Sequence, residues 1–257
     1  MTPHPLKSEP AAQAVASHIE ALILEGSLVP GEQLRSERDL AGQLAVSRPT
    51  LREGLKILVD KGLLRPGSGR GLEVAPLGTS ITDPLIALLA AHGEVADDYL
   101  EFRDIIECSA AAYAAVRAND IDRDRLRACL ERIGRAHAGA DPQEEAEADT
   151  ALHQLIYEAS HNIVLLQIMR ALAGSLRRDV MQNRGRLFAI PTIRETLRDQ
   201  HMAIGRAILE HDAEAARRAA HDHLTYLRQA AREVREAQDK RDLSLRRLRR
   251  GGVGVAD

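Results

Sequence analysis

Two helical stretches late in the chain, "IRETLRDQHMAIGRAILE" and "AEAARRAAHDHLTYLRQAA", meet at a joint of about two residues, His211 and Asp212. A joint that short forces an antiparallel helical hairpin. His201 lies ten residues before His211 and His223 eleven after Asp212. At about 1.5 Å per residue, each therefore stands about 15 to 17 Å from the turn, at a common height. The register agrees, since His201 shares a stripe with Leu197, Ile204 and Ile208, and His223 with Ala220 and Leu227. Both imidazoles are expected to point inward. His221 is rotated from His223 by about 200° and joins Arg217, Arg218 and Thr225 on the wet side.

A second polar pair lies upstream in "EADTALHQLIYEASHN", residues 147–162. Asp149 and His153 are about 40° apart around one helix and share that face with Ile156. A lone buried histidine is more often a hydrogen-bonded core residue than a ligand. Four such groups together reverse that preference, because an unpaired buried Asp is costly and a shared cation relieves it. Three imidazoles and a carboxylate converging in a helical bundle suit a divalent transition metal. Arg103, in "DDYLEFRDIIECSAAAY", shares an apolar stripe with Tyr99, Ile106, Ala110 and Tyr113. A permanently charged group in that setting needs a carboxylate, either Glu107 one turn on or that of a bound effector.

A chain of 257 residues is long for one ordinary domain and comfortable for two. Aromatic residues make up 2% and there is no Trp, so the core is built from Leu, Ile, Val and Ala, a composition that favours helices. No run approaches the roughly 18 to 20 apolar residues of a membrane span, and "MTPHPLKSEP" has no hydrophobic signal core. A cytoplasmic protein with no membrane partner is the expectation. Cys108 and Cys129 have no metal-type spacing and are read as buried reduced thiols. The net charge of −3 conceals an uneven distribution: Arg35 to Arg70 holds eight Lys/Arg against four Asp/Glu, and residues 78–240 hold twenty-one against twenty-seven.

The basic segment has its own order. Residues 11–25 place Val15, Ile19, Leu22 and Ile23 at helical spacing, and the pattern stops at Gly26. Ser36 caps "SERDLAGQLAV" with Asp39 three residues on, in the manner of a capping box, and Leu40 and Leu44 mark the inner face. Ser47 caps "RPTLREGLKILVDKG", with Pro49 in the first turn and Leu51, Leu55, Leu58 and Val59 as its stripe. Two short helices with a tight turn between them form a helix-turn-helix whose second helix offers its first residues to base edges. Arg48, Thr50 and Arg52 are the expected readers, and Arg38 fits a backbone clamp. "LLRPGSGRGLEVA" then predicts a hairpin wing that presents Gly69 and Arg70 to phosphates or the minor groove. Solvated helix faces are where most arginines sit. The helix-turn-helix-wing order is what lifts this set above that background.

The stretch "PGEQLRSERDLAGQLAVSRPTLREGLKILVDKGLL" resembles the N-terminal domain of the GntR family of bacterial transcription regulators. The resemblance implies DNA contacts at Arg38, Ser47, Arg48, Thr50, Arg52 and Gly69. The pattern D-x-x-x-H, then His, then His before Leu is similar to the FCD effector-binding domain of the FadR subfamily. It implies a Zn²⁺ or similar ion, with nickel or manganese as alternatives, on Asp149, His153, His201 and His223. A small carboxylate then reaches its open positions, and Arg103 faces the pocket. Leu152 stands where the family often has Phe. "TDPLIALL", "ASHNIVLLQIMR" and "LSLRRL" resemble regulators that answer to pyruvate, lactate or glycolate, and the second metal ligand, His153, favours the 2-hydroxy acids.

The expected fold is mainly α, an N-terminal winged helix-turn-helix plus a C-terminal all-α bundle of the FCD type. The expected boundaries are 1–76 for the DNA-binding domain, 77–84 for a linker and 85–238 for the helical domain. Residues 239–257 read as a basic, Gly-rich, irregular tail. The expected function is that of a homodimer on double-stranded operator DNA, gated by a small carboxylate effector. A metal-dependent hydrolase or lyase is the alternative from another class, and a regulator sensing the ion itself is a third. The hydrolase lacks a placed general base, since no H-E-x-x-H spacing occurs and Glu158 is aimed away from the cluster.

Overall fold

The computed structural model describes residues 10–67, 71–76, 95–172, 187 and 190–248. The chain divides into two compact units, Met1–Thr82 and Asp83–Asp257.

In the first unit, α1 (Ala11–Glu25) ends where Gly26 takes a left-handed φ of 87°. Helix α2 (Glu37–Gln43) starts at Ser36, whose side chain accepts from the Asp39 amide. Helix α3 (Arg48–Asp60) starts at Ser47, whose hydroxyl accepts from the Thr50 amide, with Pro49 in the first turn where no donor is lost. Val15, Ile19, Ile23, Leu51, Leu55 and Leu58 form one apolar core with Leu64 and Val74 of the wing. Helices α1 and α3 approach so closely at Gly54 that an added Cβ would stand 2.7 Å from Val15 Cγ1, which explains the glycine in mid-helix. The wing is an antiparallel pair, β1 (Leu64–Pro66) and β2 (Leu72–Val74), in the register Leu64↔Val74, Arg65↔Glu73, Pro66↔Leu72.

The second unit is all helical among the described residues: α4 (Val95–Arg117), α5 (Asp120–Ala138), α6 (Pro142–Ala159), a helical segment at 163–172, α7 (Pro191–Leu209) and α8 (Ala213–Leu248). The breaks fall at turn-forming residues. Asn119 and Asp122 close a reciprocal capping box on α5, and Asp141 caps α6 with Pro142 in its first turn. Helix α8 packs against α4 and α7, and α6 against α4 and α5, so the middle of α6 is enclosed. Where α5 meets α7, Gly205 removes the side chain that would collide with Leu130 at 2.5 Å. Glu145 is buried but fully engaged, bonded by Arg194 at 2.6 and 2.8 Å and by His137 at 3.0 Å.

One boundary differs from expectation. Residues 239–248, read as the start of an irregular tail, continue α8 as far as Leu248. The reason is local: no Gly or Pro interrupts "AQDKRDLSLRRL", and Gln238 bonds Asp242 one turn on at 2.9 Å. The breaking signal comes only at Gly251. Residues 77–84, read as the linker, lie outside the described residues.

Candidate metal centre and nucleic-acid interface

The core of the second unit contains the polar cluster that helical register predicts. One ligand atom from each of Asp149, His153, His201 and His223 lies within 4.8 Å of the others, and all four side chains are buried. His201 and His223 meet across the α7–α8 hairpin with ring centroids 4.6 Å apart. His153 completes the triangle at 5.6 Å from His201 and 5.3 Å from His223. Asp149 Oδ1 stands 2.8 Å from His201 Nε2 and 3.4 Å from His153 Nε2.

The imidazoles of His153 and His223 are turned so that one nitrogen looks into this cluster and the other is held from outside. His223 donates from Nδ1 to the Gln200 side-chain carbonyl at 3.2 Å, and its buried Nε2 makes no hydrogen bond. His153 has Nδ1 2.8 Å from Glu107 Oε2, and its Nε2 likewise makes none. A ring that gives its proton to an outer acceptor keeps the opposite lone pair for a cation, the arrangement that metal-binding histidines adopt. The donor set and the buried, hydrogen-bond-free imidazole nitrogens fit a divalent transition ion.

Behind His153 stands a buried ionic group drawn from α4 and α6. Arg103 donates through Nε to Glu107 Oε1 at 2.5 Å, and the Tyr157 hydroxyl donates to the same oxygen at 2.6 Å. Burial works against the Arg103 charge, but the Glu107 carboxylate outweighs it and raises the guanidinium pKa. Burial works against Glu107 too, and Arg103 followed by His153 holds its carboxyl well below the usual range. For Tyr157, burial and the Glu107 charge both push the phenol up, so it remains a donor. The two histidines diverge. Burial disfavours the His153 imidazolium, but Glu107 and Asp149 overcome this and raise its pKa. His223 is pressed well below the ordinary value by burial and then by His201 and His153.

Of the sequence-derived site residues in this unit, Asp149, His153, His201 and His223 come together, and Arg103 joins them through Glu107. Arg103 has its carboxylate inside the protein, and its buried Nη2 makes no hydrogen bond. The positioning roles of Glu107, Tyr157 and Gln200 were not visible from the sequence. Tyr157 and Glu107 are 50 residues apart, and no local pattern joins them. Glu158 faces away as expected and pairs with Arg125 at 2.9 Å and Arg170 at 2.7 Å. Leu152 is wholly buried on the same helix as Asp149 and His153.

In the first unit the polar residues lie outside. The side chains of Arg38, Arg48 and Arg52 are 86%, 58% and 62% exposed. Ser47 and Thr50 share a hydroxyl contact of 2.7 Å at the start of α3. Glu37, not foreseen, reaches Arg52 Nε at 2.7 Å and Arg48 Nη2 at 3.7 Å, so one acid on α2 holds both arginines of α3 in place. Gly69 and Arg70 lie outside the described residues.

A winged helix-turn-helix with exposed arginines at the head of its second helix, followed by an all-α domain, defines the class of two-domain DNA-binding regulators. The chain belongs to the GntR family. Residues 11–74 match the model described as bacterial regulatory proteins, gntR family, and residues 98–226 match the FCD domain. It is 38% identical over 229 residues to an Escherichia coli K12 protein described as a regulatory protein of the L-lactate dehydrogenase operon, covering 87% of each chain. It is 33% identical to the Glc operon transcriptional activator of the same strain, over 84% of this chain and 86% of that one. The solved structure of Streptococcus agalactiae GntR shares the fold with a TM-score of 0.50 at 24% identity, covering 85% of this chain and 99% of that one. These families and relatives are transcription regulators, so the chain is a regulator and not the hydrolase or lyase weighed as the alternative. No helix among the described residues is long and apolar enough to cross a membrane.

Proposed function

We propose that this regulator binds operator DNA in the cytoplasm as a homodimer and releases or re-spaces its DNA-binding heads when a small carboxylate enters the helical domain. Arg48, Thr50 and Arg52 would read base edges. Ser47, Arg38, Gly69 and Arg70 would hold the backbone. Two-fold symmetry of the dimer would be mirrored in an inverted-repeat operator. Residues 1–76 would act as the DNA-binding domain and 85–238 as the sensing domain.

Asp149, His153, His201 and His223 would hold a divalent transition metal, zinc first, with nickel or manganese as alternatives. When bound, the ion supplies a Lewis-acidic centre for carboxylate oxygens. The chain's own residues do the rest. Glu107 and Gln200 orient the rings of His153 and His223, and Arg103 and Tyr157 fix Glu107 in turn. Arg103 has a nitrogen to spare for the effector, and it neutralises charge that would otherwise oppose entry of an anion. The observation that carries this reading is the pair of buried imidazole nitrogens, on His153 and His223, that make no hydrogen bond beside a buried carboxylate.

The effector class is a 2-hydroxy or 2-oxo acid such as lactate, glycolate or pyruvate, supported by the name of the L-lactate dehydrogenase operon relative. Titration calorimetry of the metal-loaded protein with these three acids should give saturable binding to at least one. That acid should alter the mobility shift of the protein's own upstream DNA. Heat from none of them would remove the effector class, and an absence of bound metal after purification and zinc loading would remove the site.

A further inference from the structure

His221 and Cys108 belong to no site described so far. His221 lies on the outer face of α8 with its side chain 59% exposed, and it reaches across to α4. Its Nδ1 stands 3.0 and 2.9 Å from the two carboxylate oxygens of Asp104. One turn further along α4, Cys108 Sγ donates to Asp104 Oδ1 at 3.1 Å. One ligand atom from each of the three lies within 4.8 Å of the others. The i, i+4 spacing puts Asp104 and Cys108 on one face of α4, and the packing of α8 against that helix brings the imidazole to it.

The chemistry of this set is specific. A nitrogen, an oxygen and a sulfur donor together suit a borderline ion such as Zn²⁺ or Co²⁺ and are poor for Mg²⁺ or Ca²⁺. On a tetrahedral ion, bond lengths of about 2.0 Å to N or O and about 2.3 Å to S put neighbouring ligands roughly 3.3 to 3.6 Å apart. The contacts of Asp104 with His221 and with Cys108 are a few tenths of an ångström shorter, so small side-chain rotations admit an ion between groups already gathered on two rigid helices. Burial, followed by Asp104 and Glu107, pushes the Cys108 thiol up to about 12, so with no cation the sulfur stays protonated and inert. Asp104 and Glu107, which oppose a thiolate and outweigh the opposite pull of Arg217, attract a cation. Three protein ligands and a solvent-facing side leave a fourth position for water.

We propose that Asp104, Cys108 and His221 form a second, solvent-facing metal site, separate from the buried Asp149 cluster and built on α4 and α8. Binding releases the Cys108 proton to solvent in exchange for a sulfur–metal bond, and the neutral His221 ring moves its Nδ1 proton to Nε2 so that Nδ1 can ligate, with no change of oxidation state. The site escaped the sequence because its ligands are 113 residues apart along the chain at their closest crossing between helices, Cys108 to His221.

The test uses Co²⁺ added to the full-length, reduced protein, because a thiolate ligand gives a near-ultraviolet charge-transfer band and the Asp149 cluster contains no sulfur. The band should appear and saturate. It should vanish in Cys108→Ser, need on the order of tenfold more Co²⁺ in His221→Ala, and be unchanged in Cys129→Ser. His221 is exposed, so its variant keeps the fold even if Cys108→Ser does not. A saturating Co²⁺ titration without the band overturns the site. So does a band that follows Cys129, or one that His221→Ala leaves at the same affinity. Loss of the buried cluster's metal would leave this band in place, so failure of the proposed effector site and failure of this one are separable.

Discussion

The two units spend their polar residues in opposite ways. In the first, the arginines and hydroxyls assigned to function stand at the surface over an apolar core that contains no buried charge among the described residues. In the second, an arginine, three acids and three histidines sit inside the bundle at 5% exposure or less. A duplex is too large to enter a protein and is met by exposed side chains held lightly by neighbours such as Glu37. An ion or a small acid is met inside, where the dielectric is low and every group must be held by another. The first kind of site is therefore nearly uncoupled from stability, and the second is part of it.

The largest test of this contrast is Glu107→Gln. It leaves Arg103 buried without its counter-charge and should cost about 3 to 5 kcal/mol in denaturant unfolding. A loss below about 1 kcal/mol would mean that water reaches Arg103 and that the interior is not the dry site described. Chelation comes next. Removing an ion present at about 100 times its Kd should cost about 2.7 kcal/mol, seen as a lower Tm of the helical unit, and His201→Ala should abolish the difference between treated and untreated protein. Arg48→Ala should weaken specific operator binding by about 1 to 3 kcal/mol while metal content and Tm stay as they were, read by mobility shift alongside metal analysis. A fall in Tm would break the uncoupling of surface from stability. The smallest effect belongs to Ser47, which caps α3 and is proposed to hold the DNA backbone: Ser47→Ala should cost about 1 kcal/mol as a lost helix cap. Ser47→Asp should restore that stability and still weaken DNA binding, because a carboxylate at the cap repels phosphate.

Helices were legible wherever caps and apolar spacing coincide, as at Ser36, Ser47 and the turn at His211-Asp212. The inward register of His201 and His223 followed from the short joint between two long helices. Asp149 and His153 were legible as a pair, and their grouping with the other two rested on the cost of burying such groups unshared, which the family resemblance supported independently. Glu107 was visible only as a partner for Arg103, since its contact with His153 depends on how α4 lies against α6. Glu37 gave no signal, because its hold on Arg48 and Arg52 arises from the angle at which α2 meets α3. The end of α8 was not legible, because a run of charged residues reads as irregular while its helix-forming residues continue the ladder to Leu248.

By itself the sequence determined where the capped helices begin, which face of each is apolar, and that a basic head precedes an acidic bundle. Periodicity, capping and charge act over a few residues, and they can be read locally. The tertiary structure decided which polar faces meet: that Glu107 supports His153, that Gln200 turns His223, and that Asp104, Cys108 and His221 share a corner of two helices. Those meetings depend on the packing of whole helix faces against one another, and burial of apolar area fixes that packing before any polar contact is made.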